Sequence, residues 1–89
     1  MGYEYMLDFE VDRAEADAVL RKVEGFEAFN PQYELYSFRR RATGPMPDAD
    51  AKIESTGIYV CDYGCGFAVV EAIRAAFAAV GLDATLREL

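Results

Sequence analysis

The stretch Thr56-Gly-Ile-Tyr-Val-Cys-Asp-Tyr-Gly-Cys-Gly-Phe67 leaves the chain few options. Ile58 and Val60 point to one face of a strand, and Tyr59, Cys61 and Tyr63 to the other. Gly64 and Gly66 then allow the close backbone approach that an abrupt change from strand to helix needs. Phe67, Val70, Ile73, Phe77 and Val80 recur in steps of three and four, which predicts an amphipathic helix stopped by Gly81. The residues before this stretch read as one strand-helix-strand unit, and those after it complete a second.

From Tyr3 to Val11 apolar and polar residues alternate, predicting a strand with one buried face. Asp12, with Glu15 three residues on, can accept from the free amides of a first helical turn. Ala16, Val19, Leu20 and Val23 form that helix's inward stripe, and Gly25 stops it. Residues 26–32 read as a loop with Asn30-Pro31 as its turn. Tyr33 to Arg40 reads as a second strand, with Tyr33 and Leu35 opposing Tyr36 and Phe38, so its buried face is undecided. The proline-rich segment Ala42–Asp50 is expected to be a long loop. A third strand is expected over Ile53–Cys61, with Gly57 at a bulge or close approach, and a last one over Leu82–Leu89.

This order, βαββαβ, predicts one α+β domain over residues 1–89: a ferredoxin-like sandwich whose four-stranded antiparallel sheet, order 4-1-3-2, carries two helices on one face. That arrangement hosts unrelated activities, so function must be argued from particular residues.

With 53% hydrophobic and 28% charged residues the composition is that of a folded domain rather than a disordered tail. No apolar run approaches the roughly 18 residues that cross a bilayer. The amino end turns acidic at once without a signal-peptide core, and Met6 stands where lipidation at Gly2 wants Ser or Thr. A cytoplasmic location is expected. The net charge is −7, and residues 1–34 hold nine carboxylates against three cations. Such a field repels nucleic acid and anionic membrane and favours a basic partner.

Cys61 and Cys65 are too few for an iron–sulfur cluster. The chain has no histidine to complete a zinc site, so neither metal nor cofactor is expected. Heavy-metal carriers of this topology place Cys-x-x-Cys after the first strand, where this chain has Val11-Asp-Arg-Ala. Arg39, Arg40 and Arg41 beside Tyr36 and Phe38 invite an RNA-binding reading. The third strand, however, lacks the basic-Gly-aromatic pattern, and Glu4, Asp8 and Glu10 would repel phosphates. An acylphosphatase-like reading fails because the loop after the first strand has no glycine-rich cradle. The spacing of Asp48 and Asp50 lacks the other ligands of a calcium loop.

Two surfaces remain. The uncovered side of the sheet makes Glu4, Met6, Asp8, Tyr36, Phe38 and Arg40 candidates for a protein interface. Its role would be non-enzymatic, as a homodimer contact or inhibitor-like or immunity-like binding. The alternative is a small-molecule sensor or enzyme at Asp62, Tyr63, Gly64, Cys65 and Gly66, where Asp62 either caps the helix or helps hold a ligand.

Overall fold

Between residues 49 and 62 the buried positions change parity, because a hairpin turns there. Ala49, Ala51 and Ile53 are buried before the turn, and Ile58, Val60 and Asp62 after it. A computed structural model describes Tyr3 to Leu89 and resolves the run into two strands joined at Ser55-Thr56. Gly2, on which the lipidation reading turns, lies outside those residues. Among the described residues the elements are β1 (Tyr3–Asp8), α1 (Arg13–Lys22), β2 (Phe26–Asn30), β3 (Leu35–Phe38), β4 (Ala49–Glu54), β5 (Gly57–Asp62), α2 (Phe67–Ala79) and β6 (Thr85–Glu88).

The strands form one six-stranded sheet of order β2-β3-β4-β5-β1-β6, every pair antiparallel. The chain is α+β, but the expected four-stranded ferredoxin-like sheet of order 4-1-3-2 is overturned. Two strands make the difference. β4 stands between β5 and β3, built partly from residues assigned to the Ala42–Asp50 loop. β2 flanks β3, built from residues assigned to the loop over 26–32. Its alternation fails because the register shifts between Phe26 and Ala28, so Phe26 and Phe29 both turn inward, three apart. The turn after it is held as the Asn-Pro pair requires. Asn30 Oδ1 accepts from the amides of Gln32 (2.9 Å) and Tyr33 (3.4 Å), and Glu34 takes φ 55°.

Asp12 caps α1, its carboxylate accepting from the Glu15 amide at 3.0 Å. Gly81, with φ 86°, closes α2: its amide bonds the Ala78 carbonyl while that of Leu82 bonds Phe77. Leu20 of α1 and Val69, Val70, Ile73 and Phe77 of α2 join Leu7, Phe38, Ile58 and Val60 of the sheet in one core. Both helices therefore cover the same face. Phe38 and Phe77 are fully buried, each contributing about 2–3 kcal/mol. Phe67 and Val80, expected in the inward stripe of α2, are about half exposed, and Val69 is buried instead.

The facing of β3 is settled, with Tyr36 and Phe38 under the helices. Tyr36 packs against Phe26 and Phe29, and the Arg21 guanidinium lies over all three rings. Its hydroxyl donates to Asp17, which also pairs with Arg21. Burial, reinforced by Asp17, raises the Tyr36 pKa to about 12, and the same bond lowers that of Asp17. The folded phenol thus holds its proton more tightly than the unfolded one. The resulting stability is complete below about pH 10 and lost as pH rises through about 12. Tyr36→Phe keeps the packing and should cost about 1 kcal/mol in urea unfolding at pH 7. Its phenolate absorbance titration should lack one of the raised tyrosine steps.

Candidate functional site

With both helices on one side, the other face of the sheet has no helix over it among the described residues. The pairing register fixes its rows. Glu4, Cys61, Asp50 and Ser37 stand abreast across four strands. Arg87, Met6, Tyr59 and Lys52 form the next row, and Thr85, Asp8, Gly57 and Glu54 the third. Met6 is only 6% exposed although no helix covers it, because the cross-strand neighbours Tyr59 and Arg87 flank it. The rows carry four carboxylates against two cations.

Hydroxyl groups organise these carboxylates. Tyr59 Oη donates to Glu4, while Tyr63 Oη (2.6 Å) and Ser37 Oγ (2.7 Å) donate to the two oxygens of Asp50. Burial pushes the Tyr59 and Tyr63 phenols well above their ordinary value, and the bonds to Glu4 and Asp50 push them further. They act as neutral donors throughout the physiological range. Arg87 grips Asp8 at 2.9 and 3.2 Å and lowers its pKa. Each of these three carboxylates is thus fixed in direction and has more acceptor sites than these bonds use. Among the described residues, the side chains of Lys52 and Glu54 have no ion-pair partner.

Glu4, Met6 and Asp8, named from the sequence, are brought together here. Tyr36 and Phe38 are not, since they are 4% and 0% exposed beneath the helices. Arg40 lies beyond the end of β3, near Glu24 at 3.7 Å, away from this face. Asp50, Lys52, Glu54, Tyr59 and Ser37 belong to the face and were missed. The alternation Ala49, Ala51, Ile53 against Asp50, Lys52, Glu54 marked three of them, but assigning Ala49 and Asp50 to a loop hid it.

The turn from β5 to α2 is a second cluster. Asp62 is 3% exposed, and its Oδ1 accepts from the amides of Gly64 and Gly66, both at 2.7 Å. The residue at the cap of α2 is Gly66, with no side-chain cap bond, so Asp62 locks the turn and does not cap the helix. Gly66 packs so close that a Cβ there would meet the Asp48 carbonyl at 2.4 Å. Tyr63 is committed to Asp50, Cys65 is exposed, and Cys61 lies half-buried on the open face. Of the residues named here from sequence, Asp62, Gly64 and Gly66 hold the turn, and Tyr63 belongs to the sheet network.

Asp48, weighed from the sequence only as a calcium ligand, is 2% exposed, and its carboxylate accepts from the amides of Arg40, Arg41 and Ala42. This folds the arginine run over the start of α2 and leaves two open clefts that share Asp48 and Cys65. One, of about 420 Å³, is lined by Arg40, Arg41 and Ala68; the other, of about 260 Å³, by Pro45, Met46, Pro47 and Tyr63. Among the described residues no group of three or more carboxylates or thiols is gathered to hold a metal ion, and no helix is long and apolar enough to cross a membrane. Comparisons with known protein families, with curated proteins and with solved structures returned no match.

Proposed function

We propose that the protein is a non-enzymatic interaction domain whose uncovered sheet face docks a basic protein, as an inhibitor or immunity-like partner would. The observation that supports it is the row Glu4, Cys61, Asp50 and Ser37, whose carboxylates are aimed by hydroxyl donors and retain acceptor capacity for lysine or arginine. A preorganised face loses little freedom on binding. Tyrosines with raised pKa values serve as fixed donors rather than as general bases near neutral pH. Two copies docked through this face would bring together two surfaces that each carry four carboxylates against two cations, which disfavours the homodimer.

The test compares proteins captured from the native cell by the wild type and by Glu54→Lys, with binding then measured for each purified candidate. Glu54 has no ion-pair partner among the described residues, so the reversal should leave the fold intact. The expected result is a basic protein that binds at least about tenfold more weakly to the variant, with an affinity that falls as salt rises. Equal binding to both forms would sink the reading, as would a dimer in light scattering that Glu54→Lys dissociates.

A further inference from the structure

The paired clefts lie beside the arginine run, the smaller bordering the proposed interface at Tyr63, and their two halves differ in chemistry. In the larger, Arg41 has no side-chain partner among the described residues, and Arg40 reaches only Glu24, at 3.7 Å. That glutamate side chain is 82% exposed, so water competes for the pair and a ligand can displace it. Arg39 is spent, bonded to Glu27 and to the carbonyls of Ala42 and Gly44. The opening turn of α2, which forms the far wall, carries no acidic side chain. The smaller cleft is predominantly apolar, lined by Pro45, Met46, Pro47 and Tyr63 among others.

The position of the arginines is built rather than incidental. Asp48 takes three consecutive amides of their segment, and Gly25 lets the Arg40 stem pass where a Cβ would meet it at 2.7 Å. In a chain of net charge −7, the one cationic run is thereby folded against a cleft within the size range of small-ligand sites. We propose that the double cleft binds a small organic carboxylate, its anionic head between Arg40 and Arg41 and its apolar body over Pro45, Met46 and Tyr63. Two guanidinium groups suit a carboxylate, and the apolar half selects against purely inorganic anions.

Benzoate is a suitable probe, with benzyl alcohol as its uncharged counterpart and inorganic sulfate as an anion without an apolar body. Titration of the ¹⁵N-labelled chain should give saturable shifts at the amides of Arg40, Arg41, Ala42 and Cys65 with benzoate. Binding should be at least about tenfold weaker with benzyl alcohol, with sulfate, and with benzoate on Arg41→Gln, a substitution that removes no side-chain bond and leaves the fold unchanged. Absence of a saturable benzoate shift overturns the proposal. So does equal binding of benzyl alcohol or sulfate, or an affinity for benzoate that Arg41→Gln does not alter.

Discussion

Replacing Gly57 by alanine should cost about 3 kcal/mol or more and lower the melting temperature by roughly 15 °C. Gly57 opens β5 and lies opposite Asp8 of β1 and Glu54 of β4. A Cβ at this position would stand 1.9 Å from the Leu7 carbonyl oxygen, 2.9 Å from its carbon and 3.2 Å from the Asp8 Cα. All three are backbone atoms, so no rotamer change relieves the clash. β5 is paired on both sides, so it cannot move away from β1 without disturbing β4. The end of β1 would have to part from β5, breaking the bond from the Phe9 amide to the Thr56 carbonyl and loosening Phe9 from Phe77. A domain of this size has roughly 5–10 kcal/mol in all, so the loss is a large share. Gly44→Ala, with nothing within 4 Å of the new methyl, is the control and should stay within about 0.5 kcal/mol. Urea and thermal unfolding of the two variants check the contrast; comparable losses would refute the close-approach account.

Gly57 also shows where the sequence stops being legible. Its close approach could be expected from a glycine among β-branched and aromatic residues, but the reason for it could not. The run from Ile53 to Cys61 reads as one strand only if parity is ignored. Ile53 shares odd parity with Tyr59 and Cys61, yet it faces the core with Ile58 and Val60. A two-residue turn at Ser55-Thr56 reverses that sense, and the turn carries neither the Asn-Gly nor the Asp-Gly signal that marks such hairpins. β2 was hidden differently. Phe26 and Phe29 are three apart, a helical spacing produced here by a register shift at an edge strand. Local rules sufficed for α1, whose cap is a contact between neighbours in sequence. The strands depended on partners far along the chain.

The same distinction separates the parts of the candidate site. Glu4, Met6 and Asp8 were found because one strand's alternation places them on a common face. Tyr59 and Asp50 needed the register of three strands, and Tyr36 and Phe38 were misplaced because β3 is aromatic at its buried positions and the preceding Tyr33 and Leu35 blur its alternation. Asp62 was singled out beside Gly64 and Gly66 as a ligand-binding candidate, and its Oδ1 accepts from both of their amides within the turn. The chemistry of the clefts belongs instead to the arginine run, whose position depends on one aspartate seven residues beyond Arg41.

That aspartate is the second site where a large effect is expected. Asp48→Ala should destabilise the protein by about 3–4 kcal/mol, because three amides lose the one acceptor that serves them. Burial pulls the Asp48 carboxyl upwards in pKa, but the bonds from Arg41, Arg40 and Ala42, aided by Arg39, outweigh it and hold it below the ordinary carboxylate range. The native state thus binds fewer protons here than the unfolded state does near pH 4. The group's contribution is complete above the unfolded pKa of about 3.9 and disappears as pH falls through the lower folded value. Asp8 and Asp17 are lowered too and lose stability in the same window. Subtracting the pH profile of Asp48→Asn, which cannot titrate, isolates this one residue. The difference should be flat from about pH 7 to about 5 and shrink below it. Amide exchange separates local from global effects, because Arg40, Arg41 and Ala42 should exchange faster in Asp48→Asn while Val60 and Ile73 exchange at a rate set only by the overall loss. If the three loop amides are no more affected than the core, Asp48 is an ordinary buried residue and the arginines are held by something else.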